Sequence, residues 1–246
     1  MRNGVGLSES IVFARQSQYA YRTKMGMIGS AEFVNFMDDF VSAVTTNLPA
    51  GWDGVVIDTG ATVVTDTTAG SLGATGVLLF DSDGAAEGAA IYGEKCLQLT
   101  SGKRFFMEMR FQTEIADDTD VQFGLTALTA TTNPEDLWTT TATDVVAFGV
   151  LDGSAVVGLL SDAGNSGTVV QAGSLSLSNA TWHILGIGYD GVNLRCYVDG
   201  VLALTWAGAA STIPTGVALA PFFGYRNGST AANEGHCDYV RFVVER

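Results

Sequence analysis

The sequence predicts an all-β protein built from two antiparallel sheets, and three observations support this class. Apolar and polar residues alternate over many short segments, glycine outnumbers proline by 30 to 4, and Asp-Gly pairs separate several of the segments. Alternation is typical of half-buried antiparallel strands, because successive side chains point to opposite faces. Asp-Gly is typical of tight hairpin turns, whose backbone angles glycine tolerates. Many short strands at regular spacing favour a sandwich of two sheets.

The most informative segment is residues 182–206. Asp190-Gly191 and Asp199-Gly200 divide it into three alternating strands, which predicts a β-meander. In the first of these strands we place Trp182 on the core face, so we expect His183 to point outward.

Further strands are predicted wherever apolar residues alternate or run together, over residues 76–80, 103–113, 120–128, 144–151, 155–160, 168–172, 217–225 and 237–244. Residues 103–113 alternate most regularly. From this pattern we expect one set of large residues to pack together between the two sheets: Phe105, Met107, Met109, Phe111, Phe123 and Trp182.

A different pattern precedes the strands. Six apolar residues recur at the spacing of one helix face: Phe33, Phe36, Met37, Phe40, Val41 and Val44. Ser30 is suited to cap this helix, and Asn47-Leu48-Pro49 to end it. The sequence therefore predicts one amphipathic helix after an extended arm over residues 1–29. We expect this stripe to mediate oligomerisation, and packing on the protein's own sheet is the alternative.

Charge is unevenly distributed along the chain. The whole chain has a formal net charge of −14, whereas residues 1–29 hold four basic residues and one acidic residue. Arg15, Arg22 and Lys24 of this arm are candidates for contact with an acidic partner. The acidic remainder argues against nucleic-acid binding, which needs clustered Lys and Arg. We therefore assign residues 1–50 to attachment and residues 51–246 to the sandwich domain.

The same sequence argues against membrane insertion, secretion and a cysteine-based site. No segment is long and apolar enough to span a bilayer, and the N-terminus lacks the apolar core of a secretory signal. The three cysteines, Cys96, Cys196 and Cys237, are far apart and form no Cys-x-x-Cys pair. We expect them to be free thiols rather than disulfide or zinc ligands.

Three segments resemble the concanavalin A-like lectin/glucanase superfamily, in its laminin-G-like branch. They are Phe106-Met-Glu-Met-Arg-Phe111, the stretch from Trp182 to Gly200, and Asp238-Tyr-Val-Arg-Phe242. The resemblance covers about residues 51–246 and implies a jelly-roll sandwich. It implies no single function, because the superfamily contains lectins, hydrolases, adhesion modules and virion proteins.

The small-residue loops and the separate N-terminal segment resemble virion structural proteins of tailed bacteriophages that carry this fold. This resemblance implies a non-enzymatic capsid decoration or cement protein, made in the host cytoplasm and located on the virion. The implied partners are other virion proteins, such as the major capsid protein, and further copies of the chain in a trimer. The alternative is a lectin-like module for a host or matrix glycan. Its candidate contacts are Trp138, Tyr225 and Asn227, which lie in or beside predicted loops.

Neither catalysis nor a cofactor is expected. Hydrolases of this superfamily carry acidic residues as Glu-x-Asp-x-x-Glu on one strand, whereas Arg110 follows Glu108 at the second acidic position. Glycoside hydrolysis needs two carboxyl groups, so we expect these residues to form a solvated or cross-strand pair instead. Asp117, Asp118 and Asp120 are the best candidates for calcium, which binds several oxygen ligands from one loop. An ordinary acidic turn is the alternative.

Overall fold

The structure, a computed structural model, describes residues 33–38, 40, 52–56, 60–65, 76–84, 87–95, 97–127, 144–151, 153–164, 169–207, 211–228 and 232–245. Within these ranges a short 3-10 helix, Ala116–Asp118, lies among sixteen strands. The strands are β1 (Phe33–Asp38), β2 (Trp52–Val56), β3 (Thr62–Thr65), β4 (Leu78–Ser82), β5 (Gly88–Gly93), β6 (Leu97–Gln98), β7 (Phe105–Thr113), β8 (Thr119–Thr126), β9 (Val145–Leu151), β10 (Ser154–Asp162), β11 (Val169–Ser176), β12 (His183–Tyr189), β13 (Leu194–Val198), β14 (Val201–Trp206), β15 (Ala218–Asn227) and β16 (Asn233–Glu245).

These strands form two antiparallel sheets of eight strands each, as the alternation predicted. The first sheet has the order β14-β13-β12-β7-β16-β4-β3, and β1 also pairs with β16. The second sheet has the order β11-β10-β9-β8-β15-β5-β2, and β6 also pairs with β15. The meander predicted over residues 182–206 is β12-β13-β14 of the first sheet.

Strand β16 is the longest strand, with 13 residues, and it joins three others. Strand β7 pairs along one of its edges. Along the other edge β4 pairs with residues 233–237, and β1 pairs with residues 240–245. The two halves of β16 thus have different neighbours along one edge and share β7 along the other.

The core between the sheets contains the residues that the alternation of β7 predicted. Phe105, Met107, Met109 and Phe111 are all at most 1% exposed, and Phe123 of the second sheet is fully buried with them. The Phe111 ring lies 5.4 Å from the ring of Phe223, so the two sheets are joined by direct aromatic contact.

The predicted faces of β12 are wrong. His183 pairs with Phe111 and is buried on the core side, whereas Trp182 lies outside with Arg110 over its ring at 4.5 Å. The core-facing set also holds Leu185, Ile187 and Tyr189, which bury more apolar area than Ile184 and two glycines on the other face. The apolar area buried by Leu185, Ile187 and Tyr189 thus outweighs the preference of Trp182 for the core.

The buried His183 ring is satisfied on both nitrogens. Its Nδ1 lies 2.6 Å from the Asp199 carboxylate, and its Nε2 accepts a hydrogen bond of 2.9 Å from the Ser178 backbone N–H. Burial alone would raise the pKa of Asp199. Hydrogen bonds from His183 and from the Ile184 backbone outweigh this effect and lower the pKa of that carboxyl below its usual range.

Asp199→Asn tests this pair. Asparagine tolerates the positive φ of 51° at this position, so the exchange removes the charge and leaves the turn intact. A carboxyl whose pKa is lowered by folding stabilises the protein above its unfolded pKa of about 3.9. We therefore expect the variant to lose about 1 kcal/mol at pH 7. Urea unfolding at several pH values should show this difference shrinking as pH falls below about 4. A difference independent of pH would contradict the role of the charge.

The predicted amphipathic helix is wrong. Residues 33–38 form β1, which pairs with β16 in register from Phe33 to Asp38. Phe40, at φ 54°, is fully buried, and its ring lies 5.8 Å from that of Trp52. The free edge of β16 offers backbone partners, and aromatic residues suit strands, so tertiary pairing overrides the helical spacing.

The attachment role assigned to residues 1–50 stays a prediction. Phe33, Phe36 and Met37 lie in β1, and Phe40 lies in the core. Val41 and Val44, like Arg15, Arg22 and Lys24 of the arm, lie outside the described residues. At least one strand of the first sheet therefore comes from this N-terminal segment.

Two of the three cysteines lie in the described residues, and neither forms a disulfide. Cys196 and Cys237 are buried in the core, and burial raises the pKa of the Cys196 thiol well above its usual range. Such thiols behave as small apolar residues. In the described parts of the chain, no helix has the length and apolar character that a membrane crossing requires.

Candidate functional site

The residues proposed as glycan contacts do not meet at a surface. Tyr225 is 1% exposed, and its ring packs between the sheets near Phe80, with centroids 6.3 Å apart. Burial raises the pKa of its hydroxyl. Asn227 is also buried, and its side-chain amide donates to the Gly84 carbonyl at 3.2 Å. Trp138 lies outside the described residues. The structure thus places neither Tyr225 nor Asn227 where a sugar can stack.

The acidic candidates for calcium are not gathered around one point. Asp117 and Asp118 belong to the short 3-10 helix, whereas Asp120 lies in β8 and pairs with Arg226 at 3.3 Å. Across the described ranges, no group of three or more acidic, histidine or cysteine side chains is arranged to hold a metal ion.

The solvated form of the pair predicted for Glu108 and Arg110 is wrong, and the cross-strand alternative applies to each residue separately. Glu108 is 2% exposed and lies opposite Arg241 in register. Arg110 instead contacts the Asp238 carboxylate at 2.5 Å, in addition to the Trp182 ring. Their separation follows from the strand partners of β7, which the sequence alone does not identify.

A row of five glycine and alanine residues and one glutamine crosses the outward face of the second sheet. In register from β5 to β11 it consists of Ala90, Gly224, Gln122, Gly149, Gly158 and Ala172. Ala90 and Gln122 are flanked by core residues, so their side chains point away from the core, because side chains alternate along a strand. Small residues in line leave a depression between the bulkier rows on either side. We call this row the transverse groove.

The transverse groove is open at one end. Gly224, Gln122 and Gly149 are buried, Gly158 is partly exposed and Ala172 is exposed. The pairing of β10 is irregular here, with register shifts between Ser154 and Gly158. Such bulges bend a strand and are frequent beside functional sites.

A cavity of about 170 Å³ lies at this open end. It is lined by Gly149, Leu151, Ser154, Val156, Val157, Gly158 and Ala172. All of these except Ser154 are apolar or lack a side chain, and Val156 at its rim is 39% exposed. The cavity therefore presents an apolar wall to solvent.

Gln122 is the one member of the transverse groove with a polar side chain. It is 1% exposed, yet neither its amide oxygen nor its amide nitrogen has a hydrogen-bond partner in the protein. A buried amide without partners costs about 1–3 kcal/mol, and such groups are rare in native structures. The structure therefore holds a buried donor and a buried acceptor without partners on this face of the second sheet.

The two rows that flank the groove differ in character. On one side Asp120 and Arg226 form their ion pair. On the other side Tyr92 and Phe222 stack, with ring centroids 6.0 Å apart, within a second buried cluster on this outward face. A ligand in the groove thus meets an ion pair along one edge and apolar packing along the other.

The transverse groove is not among the features predicted from the sequence, although the sequence carries one signal for it. Gly124, Gly149 and Gly158 lie inside predicted strands, where glycine often marks a bulge or a close approach. Their alignment depends on the register between β8, β9 and β10. That register is not visible in a single sequence.

Comparison with known proteins finds similarity in structure alone, since neither a protein-family model nor a curated protein matches the sequence. Arcelin-5, a lectin-like defence protein from Phaseolus vulgaris, matches at TM-score 0.60 and 10% identity, over 87% of this chain and 99% of that one. The Bacillus licheniformis β-glucanase matches at TM-score 0.52 and 15% identity, over 85% and 97%. The carbohydrate recognition domain of Emp47p matches at TM-score 0.50 and 13% identity, over 88% and 97%.

These structures are lectin-like proteins and a glucanase, and at such low identity their likeness shows the fold and no activity. The likeness agrees with the two antiparallel sheets and with the superfamily that the sequence resembles. The chain therefore has the jelly-roll fold of the concanavalin A-like lectins and glucanases.

Proposed function

We propose that the protein is a non-catalytic carbohydrate-binding module that holds its ligand in the transverse groove. The observation that carries this proposal is Gln122, whose buried amide has no partner in the protein. Binding sites are typically concave and mostly apolar, with a few polar groups that orient the ligand. The groove, its cavity and this amide have that composition.

The structural neighbours support the ligand class. Arcelin-5 is described as lectin-like, and Emp47p contributes a carbohydrate recognition domain. Sugars combine apolar ring faces with hydroxyl donors and acceptors. The groove has a matching group for each of these features, namely an apolar cavity, a partnerless amide and a flanking ion pair.

The placement of carboxylates supports binding rather than hydrolysis. Within the bounds of the described strands, no strand carries two carboxylates two residues apart. On the groove face, Gln122 follows Asp120 in β8 at that spacing, and Asp120 is paired with Arg226. An amide neither donates nor accepts a proton as a general acid or base, whereas glycoside hydrolysis needs two carboxyl groups.

A glycan array with the full-length chain tests the proposal, followed by calorimetry on the glycans that bind. We expect dissociation constants tighter than about 1 mM. Absence of binding to every glycan on the array would contradict the proposal. Turnover of a bound glycan would contradict its non-catalytic part.

Ala172→Trp tests the position of the site. Ala172 is an exposed cavity residue of β11, so an indole ring there should fill the open end of the groove. We expect at least a tenfold loss of affinity with the fold unchanged by circular dichroism. Thr205→Trp is the matched control, because Thr205 is an exposed strand residue of the first sheet. Equal affinity of the two variants for the glycan would show that the binding site lies elsewhere in the protein.

The predicted role in a bacteriophage virion is a separate hypothesis. Of the residues assigned to attachment, Phe33, Phe36 and Met37 lie in β1 and Phe40 lies in the core. The others lie outside the described residues: Val41, Val44, Arg15, Arg22 and Lys24. Co-purification with intact particles would test this hypothesis. A glycan-binding site in the transverse groove and an attachment segment at the N-terminus are compatible with each other.

A further inference from the structure

The amide of Gln122 offers two complementary groups at one position. A glutamine side chain has a carbonyl that accepts hydrogen bonds and an NH₂ that donates them, and both are unused here. Another amide satisfies both at once, because its N–H faces the carbonyl and its carbonyl faces the NH₂. Two suitably spaced hydroxyl groups do the same, so the amide alone does not identify the ligand.

The adjacent cavity distinguishes these two ligands. Gly149, the register partner of Gln122, lines the cavity together with Leu151 and Val157. An apolar wall favours a methyl group, which gains free energy when it leaves water. A hydroxyl or hydroxymethyl group in the same place gains less, because Ser154 is the one lining residue with a polar side chain. The site thus places a partnerless amide next to an apolar space that can hold a methyl group.

Among the described residues, the ion pair in the row beside Gln122 favours a neutral ligand. Arg226 and Asp120 lie in the row beside Gln122 and neutralise each other at 3.3 Å. A protonated amino sugar would find no uncompensated carboxylate in this pair, and an acidic sugar no uncompensated guanidinium. An uncharged amide that carries a methyl group fits all three features.

We propose that the groove selects glycans that contain N-acetylhexosamine, with Gln122 as the specificity-determining residue. The Gln122 amide binds the acetamido N–H and C=O, and the cavity takes the acetyl methyl. This inference rests on the proposed function, because it names the sugar class for the same groove. It predicts discrimination between sugars that differ in the acetamido group alone.

Calorimetry with three tetrasaccharides and the full-length chain tests the inference. Tetra-N-acetylchitotetraose carries the acetamido groups, cellotetraose has hydroxyls in their place, and chitotetraose has free amines. We expect the first to bind at least tenfold more tightly than the other two. A site that hydrogen-bonds one substituent rejects analogues that lack it, since its own polar groups are then left unpaired.

Gln122→Met tests the residue. Methionine has a similar length and removes both hydrogen-bonding groups, and it takes away a partnerless buried amide, so folding should be maintained. We expect the preference for the N-acetylated tetrasaccharide to fall at least tenfold. The matched control is Gln112→Met on β7 of the first sheet, which should keep the preference.

Two outcomes separate this inference from the proposed function. Equal affinity for tetra-N-acetylchitotetraose and cellotetraose, or an unchanged preference in Gln122→Met, would overturn the selectivity and leave a carbohydrate-binding module. Array binding confined to glycans without N-acetyl groups would also overturn it. Absence of binding to all glycans would overturn the proposed function with it.

Discussion

Replacing Phe111 by alanine should lower the free energy of unfolding by about 3–5 kcal/mol, the range for a large aromatic residue lost from a core. Phe111 is 1% exposed, and its ring meets Phe223 and Tyr225 of the opposite sheet at 5.4 and 6.5 Å. Truncation therefore removes contacts that hold the sheets together and leaves a cavity between them. Urea unfolding followed by tryptophan fluorescence measures the change.

Leu202→Ala is the control for this loss. Leu202 is 48% exposed on the edge strand β14, so its truncation should cost no more than about 0.5 kcal/mol. Similar losses for Phe111→Ala and Leu202→Ala would mean that Phe111 does not lie between the sheets. A loss at Phe111 alone would support the burial of the whole alternating face of β7.

Gly149→Ala should destabilise the protein by about 3 kcal/mol, the upper end of the range for overpacking. A Cβ atom at this position would lie 1.6 Å from the Val121 carbonyl oxygen and 2.7 Å from its carbon. These atoms are backbone, so the clash cannot be relieved by a side-chain rotation. The pairing of β8 with β9 must open, which also distorts the transverse groove. Thermal and urea unfolding measure the loss.

Ala218→Val is the control for the added bulk. Ala218 is the exposed first residue of β15 and lies outside the groove, so the larger side chain should extend into solvent. We expect a change within about 0.5 kcal/mol. A Gly149→Ala variant as stable as Ala218→Val would show that β8 and β9 do not approach as closely as the structure places them.

The sequence predicted the class of fold because its strongest pattern, alternation, is local. The faces of β7 follow from its own residues, as do the turns at Asp190-Gly191 and Asp199-Gly200. The helix predicted over residues 30–44 failed for the opposite reason. Its spacing fits a helix, but the edge of β16, some 200 residues away, offers pairing to Phe33–Asp38.

The candidate site depends on register, which no single sequence shows. Gln122, Gly149 and Gly158 are neighbours because three strands align at these residues. A one-residue shift would move each of them to the other face. Of the residues nominated from sequence, Asp120 lies in the row beside the groove, where it pairs with Arg226 rather than with calcium.

The position of β16 has a consequence for biosynthesis. This strand is drawn from residues 233–245, and it supplies the pairing for β1, β4 and β7 of the first sheet. During translation those three strands emerge before β16, the partner that they share. Contacts so distant along the chain slow folding and leave strand edges exposed in the meantime. Emergence of residues 233–245 from the ribosome should therefore start the completion of this sheet.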